Sequence, residues 1–470
     1  LSSEKIHFDL RDRFMPRFNR NVDPQTIEKL CAELEKTALA EKASMLREQG
    51  NCPLVEDIKD DPKHKLVTFF YYDDTGKCED VKVTSLGFCS RDMMNISKKI
   101  VYPPQKDPTI LGKSEIPYIP LERLTLAKNI FVATVVLPAE ACISYTVDVP
   151  LRQELDDPLN CRSFQGGQFP RSVLDLSLPK NDRTETPALN PKRLKRYSVD
   201  AEGNINERDG NYPPGKNERM FSAYLPEKFF KEADKTKTYP MRLFLDGKWY
   251  LNERTSAISP KADTIDLMLE PLERVDSGEN NDYDNRDFEY LPANHPKLAT
   301  AGFEAAGIKV FTDFLSEKFI PFARKKFNIS KDPNDLTVCG SSLSGFAAVY
   351  IGVNCQETST GQKIFGNVLT QSAALWIDAK HNDGRLLKQL SSNESLQESH
   401  FYLEASTIES EEVFKSNKKF AGVMTEQNIP HCFIETCGEH GSVSWSKSMP
   451  GAVSVLQDLR SEKTSGLVCR

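Results

Sequence analysis

The spacing of apolar positions changes twice along the chain. Behind Asp23-Pro24, Ile27, Leu30, Cys31 and Leu34 recur at helical intervals, which predicts a helix reaching to about Gln49. From Asn51 the texture turns to β. Leu66–Tyr72 is a run of β-branched and aromatic residues, Asp73-Asp74-Thr75-Gly76 supplies a hairpin turn, and Val81–Thr84 reads as the return strand. Ile130–Leu137 and Ile143–Val149 make a second pair around Pro138-Ala139-Glu140, and Ser172–Leu176 closes the region. Short strands separated by turn signals predict a β-sandwich.

Asn181–Asn217 is polar and rich in Pro, Gly, Asn and Arg, the composition of a linker or mobile loop. Its basic piece, Lys192-Arg193-Leu194-Lys195-Arg196, reads as solvated surface with the option of a partner. Beyond it strands and helices alternate. Phe221–Leu225, Met241–Leu245, Thr264–Leu272, Asn367–Gln371, Ser399–Glu404 and His431–Thr436 are the predicted strands. Helices are predicted over roughly Ala299–Phe327 and from about Gly384 and Ser410. Such alternation predicts a mostly parallel sheet with helices on both faces. The expected organisation is a helical extension (1–50), a β-sandwich (51–180), a linker (181–217) and an α/β domain (218–470).

One stretch of the α/β domain carries chemistry. In Thr337–Val353 a short apolar run enters a Gly/Ser cluster, and Phe346, Val349, Tyr350 and Val353 leave it at helical spacing. Strand, sharp turn and helix in that order are the setting of a serine nucleophile. The turn crowds its neighbours, so they must be small, and Gly340, Ser341, Ser344 and Gly345 are. Ser342 holds the nucleophile position of Gly-x-Ser-x-Gly, with Ser344 in place of the last Gly.

Composition narrows the alternatives. A net charge of −7 with well-mixed signs leaves no basic footprint for nucleic acid. No apolar run reaches the roughly 18 residues of a membrane span. The eleven cysteines are scattered, with no Cys-x-x-Cys pair, and read as reduced thiols in a reducing, cytoplasmic setting.

A serine nucleophile needs a base, and the base needs an acid to orient it. Of the histidines after Ser342, His400 and His431 flank apolar runs, whereas His440 sits in a loop just beyond the last predicted strand. That loop delivers a histidine to the carboxyl edge of the sheet. The acid should follow Ser399–Glu404, where Glu404, Glu409, Glu411 and Glu412 all compete. The oxyanion would be met by the N–H of Leu343 and by a donor from the loop Asp246-Gly247-Lys248-Trp249.

The pieces together resemble the enterochelin esterase branch of the α/β-hydrolases, which hydrolyse ester bonds of ferric catecholate siderophores. The resemblance rests on Leu245-Asp246-Gly247, Arg286-x-x-Glu289 with Leu291 and Asn294, and Phe314-Leu315 with Glu317 and Ile320-Pro321. It continues through Val338–Gly345, Phe365–Ser372 with Trp376, Leu403-Glu404-Ala405, and Gly438-x-His440 with Trp445. Asp157-Pro158-Leu159-Asn160 is similar to the N-terminal, immunoglobulin-like sandwich of that family. The resemblance implies an α/β-hydrolase with Ser342 as nucleophile, His440 as base and Glu409 as acid. It further implies oxyanion donors at Leu343 and Lys248, and a cleft lined by Arg286 and Asn294. The expected partner is a small-molecule ester, a siderophore lactone or one of similar bulk, with no cofactor or metal required; no protein partner is implied.

Two departures bear on this. Ser344 adds a Cβ where the turn is tight, and Glu439 puts a carboxylate beside the base where the family has a second Gly. They motivate a competing expectation, a repurposed or impaired binding protein on the same scaffold. A peptidase or acyltransferase with the same triad is the third.

Overall fold

The computed structural model describes residues 52–461, apart from 59, 74, 86–117, 124–128, 150–156, 158, 161, 165–170, 179–188, 201–203, 209–217, 232–236, 253–262, 273–284, 297 and 299–306. The expected helix behind Asp23-Pro24 lies outside the described residues. The chain divides into two compact units. One runs to Glu185 and takes back two short segments, Ser406–Glu411 and Cys437–Ser444. The other comprises Thr186–Ala405, Glu412–Thr436 and Trp445–Arg470.

The first unit contains β1 (Leu54–Asp57), β2 (His64–Tyr72), β3 (Val81–Thr84), β4 (Tyr118–Arg123), β5 (Ile130–Pro138), β6 (Cys142–Asp148), β7 (Ser163–Phe164) and β8 (Arg171–Asp175). Alternate residues of these strands share one core: Val67, Phe69 and Tyr71; Val81 and Val83; Phe131, Ala133, Val135 and Leu137; Ile143, Tyr145 and Val147. The period of two is what lets a strand bury one face. Hydrogen bonding links the strands in the order β1-β2-β5-β4-β3-β6-β8-β7. Three strands therefore separate β2 from β6, about 19 Å in a flat sheet. Yet the Phe69 and Tyr145 rings meet edge to face at 5.1 Å. The sheet is folded over its own core.

This order corrects the expected hairpins. β2 pairs with β1 and β5, while β3 pairs with β4 and β6. The Asp73 turn is real, its carboxylate accepting from the backbone of Thr75 and Cys78, but the strands on either side go to different partners. β5 and β6 likewise diverge at Pro138. Turn chemistry marks where the chain reverses; the shared core face decides which strands pair.

The second unit holds β9 (Leu194–Val199), β10 (Ile205–Arg208), β11 (Arg219–Tyr224), β12 (Met241–Leu245), β13 (Ile265–Leu269), β14 (Leu336–Ser341), β15 (Asn367–Gln371), β16 (His400–Ser406) and β17 (His431–Thr436). Their order is β10-β9-β11-β13-β12-β14-β15-β16-β17. From β13 through β12, β14 and β15 to β16 the pairing is parallel; from β10 to β13 it is antiparallel. The central strands are buried at every position, as strands covered on both faces must be. One face packs the helices Ile308–Phe314, Ile320–Phe327 and Leu343–Asn354; the other packs Met449, Ala452 and Leu456 of the helix Ser442–Ser461. This is the expected α/β architecture.

The polar stretch expected as a linker contributes β9 and β10 to this sheet. Its basic run is partly interior, for Arg193 is buried, donates to the Leu225 carbonyl at 2.6 Å and lies over the Tyr224 ring. Strands near a sheet edge keep one side in water, so their composition resembles that of a loop.

Candidate active site

β14 ends at Ser341 and the helix Leu343–Asn354 starts two residues later, leaving Ser342 alone between them. It holds φ 56° and ψ −121°, a strained conformation for a residue with a side chain. The strain is held at both ends of the residue. The Ser342 N–H donates to the Gln371 carbonyl at 3.0 Å, and its carbonyl accepts from Ala374 at 2.8 Å and Phe346 at 3.2 Å. The small neighbours now have a cause. A Cβ on Gly340 would fall 2.1 Å from the Ser344 carbonyl oxygen, and one on Gly345 would fall 2.8 Å from the Ala373 methyl.

Ser344 does not crowd this turn. Its hydroxyl accepts from the Ser341 N–H at 3.0 Å and donates to the Ser341 carbonyl at 2.8 Å. The buried side chain thus closes a reciprocal clasp on the residue before the nucleophile. Beneath it Gln371 accepts from the Ser341 hydroxyl at 3.3 Å and donates to Ser448 at 2.7 Å and to the Trp445 carbonyl at 2.9 Å. As the first residue of its helix, Leu343 has an N–H with no intrahelical acceptor.

β12 is the parallel neighbour of β14, so the residues following it emerge at the same edge of the sheet as Ser342. Asp246 takes φ 60°, and a Cβ on Gly247 would overlap the backbone of β13 at 2.3 Å, so a glycine is required there. Lys248 is exposed in the first turn of the short helix Gly247–Asn252. Arg286 donates to Asp246 at 2.8 Å and its guanidinium lies 4.5 Å from the Trp249 ring centroid. Arg286 therefore clasps this loop. Asn294 is exposed.

The other two candidate residues belong to the segments grouped with the first unit. His440 Nδ1 and Glu409 Oε2 are hydrogen-bonded at 2.8 Å. The second Glu409 oxygen accepts from the Ser406 N–H at 2.7 Å, and the carboxylate side chain is wholly buried. Two of the competing glutamates are engaged elsewhere: Glu404 with Tyr402 and Ser448, Glu412 with Lys380. Ser406 joins the two loops, its hydroxyl accepting from the N–H of Ile408 at 3.1 Å and of Gly438 at 3.0 Å. Gly438 is needed because a Cβ there would strike Ser444 at 2.5 Å.

The histidine loop is also tied to β6. Cys142 donates to the Cys437 carbonyl at 2.9 Å and accepts from the Glu439 N–H at 3.0 Å. Ser144 donates to Glu439 Oε1 at 2.6 Å. Burial pushes the Glu439 carboxyl up from 4.5 to about 7, against the opposing pull of the Ser144 hydrogen bond.

A family model described as "Putative esterase" matches residues 215–456. The chain belongs to this esterase family. Among curated protein sequences none matches. Solved structures show the same fold. The ferric enterobactin esterase of Salmonella typhimurium is 18% identical with a TM-score of 0.58, over 87% of this chain and 98% of that one. The enterobactin esterase of Shigella flexneri, determined in the presence of enterobactin, is 17% identical with a TM-score of 0.56, over 86% and 96%. The same enzyme in the presence of 2,3-di-hydroxy-N-benzoyl-glycine gives 18% and 0.55 over 86% and 96%.

In this esterase the two expected oxyanion loops stand on neighbouring strands, and His440 meets one glutamate of the four. Sequence reasoning missed the Ser344 clasp, the Gln371–Ser448–Glu404 chain and the hold of β6 on the histidine loop. Gln371 and Trp445 stood among the family-like residues, a signal of importance without a role. No described helix is long and apolar enough to cross a membrane.

Proposed function

We propose that the protein is a serine esterase in which Ser342, His440 and Glu409 form the triad. The observation that carries this reading is the strained, doubly anchored Ser342 between β14 and its helix. The buried Glu409 bonded to His440 supplies the oriented base that such a serine requires. In the reaction the Ser342 hydroxyl attacks the ester carbonyl while His440 takes its proton. The backbone N–H groups of Leu343 and Lys248 receive the oxyanion. His440 then protonates the departing alcohol, and water, deprotonated by the same imidazole, releases the acid from the acyl-serine. Glu409 fixes the tautomer and balances the imidazolium charge. We assign Arg286 to hold the Lys248 loop through Asp246 and Trp249, and leave Asn294 as the residue open to substrate.

The substrate class we propose is a bulky ester of the siderophore-lactone kind, which the fold shared with enterobactin esterases supports. The hydrogen-bonded fit of Ser344 favours a working site over an impaired one. Hydrolysis of aryl esters and of ferric and iron-free trilactones by the wild type beside Ser342→Ala tests this reading. The variant is expected to lose about 10⁴-fold or more in kcat/KM. Retention of wild-type rates by Ser342→Ala would overturn it.

A further inference from the structure

Glu439 is the residue the proposed reaction leaves unused, and its surroundings are unusual for a carboxyl. Its main chain brackets the histidine: the Gly441 N–H donates to the Glu439 carbonyl at 2.9 Å, closing a three-residue turn with His440 at its apex. Its side chain spans the same residue, because a Cβ on Gly441 would come within 3.1 Å of Glu439 Oε1. Its N–H and Oε1 are both committed to β6, through Cys142 and Ser144. Oε2 is buried with no hydrogen-bond partner among the described residues, and the residue is 1% exposed. A carboxylate is costly in such a place, whereas a neutral acid is tolerated.

We propose that Glu439 is a positioning residue for His440 and that it performs this role as a neutral carboxylic acid, clamping the histidine turn onto β6. The proposal rests on the reading of His440 as the base. His440 on its own loop and Arg171 at the head of β8 both favour its ionised form. β6 presents Ser144 and the Cys142 backbone, and Glu409 is bonded to the same imidazole. With burial raising the carboxyl to about 7, the neutral form is present in mildly acidic and neutral solution and is lost above it. Ionisation there would place an unpaired charge in the clamp and a carboxylate beside the imidazole. The first loosens the hold on the histidine turn, and the second draws a proton onto an imidazole that must be unprotonated to act as the base.

Stability depends on pH through the same carboxyl. The neutral carboxyl's contribution is complete below 4.5 and is lost as pH rises through about 7.

The test compares Glu439→Gln, which keeps an acceptor for Ser144 but cannot ionise, with Glu439→Ala, which removes the clamp. Both are assayed for hydrolysis of a 4-nitrophenyl ester across pH 5–9, and thermal unfolding is followed over the same range and down to pH 4. The Gln variant is expected to keep kcat within about threefold of wild type at acidic pH. Its kcat/KM should hold through neutral and alkaline pH, where the wild type loses activity as the Glu439 carboxyl ionises. Its Tm should lack the wild type's fall through neutral pH. The Ala variant is expected to lose about tenfold or more in kcat at every pH, with KM little changed. A Gln profile superimposable on wild type, or a Gln variant as impaired as Ala throughout, would overturn the proposal. If Ser342→Ala is inactive and the Gln profile is unshifted, the proposal alone falls. If Ser342→Ala stays active, the esterase reading falls and takes the proposal with it.

Discussion

The nucleophile turn and the histidine–glutamate pair reach the same kind of precision by opposite routes. The turn is local. Gly340, Ser341, Ser342, Ser344 and Gly345 fall within six consecutive residues whose small size the turn demands, while backbone bonds to Phe346, Gln371 and Ala374 hold φ 56° at Ser342. The pair is assembled from residues 31 apart in sequence. It depends on Ser406 to join its loops and on β6, some 295 positions away at the Ser144–Glu439 contact, to hold one of them. A local device spends backbone strain and tolerates only small side chains. A distributed one uses hydrogen bonds to buried groups and tolerates sequence change wherever those bonds survive. The departures from the family pattern follow this division: Ser344 is admitted to the turn by bonding back to its own strand, and Glu439 to the loop by bonding to another.

The comparison can be broken most strongly at Glu409. Glu409→Ala should leave the Ser342 turn intact and still reduce kcat/KM about 10²–10⁴-fold, since the imidazole loses its orienting acceptor. Steady-state kinetics with Tm alongside would check it, and a loss below tenfold would show that another group orients the base. A smaller effect separates the two routes from the other side. Ser344→Gly restores the common motif but deletes the clasp on Ser341, at a cost of about 1–3 kcal/mol in unfolding free energy. Chemical denaturation measures this directly, and activity should remain within about tenfold. A Ser344→Gly enzyme that is more stable than wild type would mean the serine is strained.

What the sequence revealed follows the same line between local and distributed. The Ser342 turn was legible because its sterics act on adjacent residues, so Gly340 and Gly345 announce it. The parallel strands β12, β14, β15 and β16 were legible because burial on both faces demands continuous apolar runs. Glu409 was not separable from Glu404, Glu411 and Glu412, since what distinguishes it is the Ser406 N–H and the His440 ring, both brought to it by tertiary packing. The expected hairpins after Tyr72 and after Leu137 failed for the same reason: pairing in the folded β-sheet is settled by which faces share the core around Phe69 and Tyr145. β9 and β10 hid behind Lys, Arg and Asn, which suit strands near an edge. Glu439 stood out only as an exception, and its bonds to Cys142 and Ser144 could not be foreseen from position.

The central claim is that the strained serine is the nucleophile and that the paired histidine activates it. Incubation with a fluorophosphonate followed by peptide mass spectrometry addresses both. The account predicts a single adduct on Ser342, formed at least about 10²-fold more slowly in His440→Ala. An unlabelled protein, an adduct on another serine, or equal labelling without His440 would contradict it.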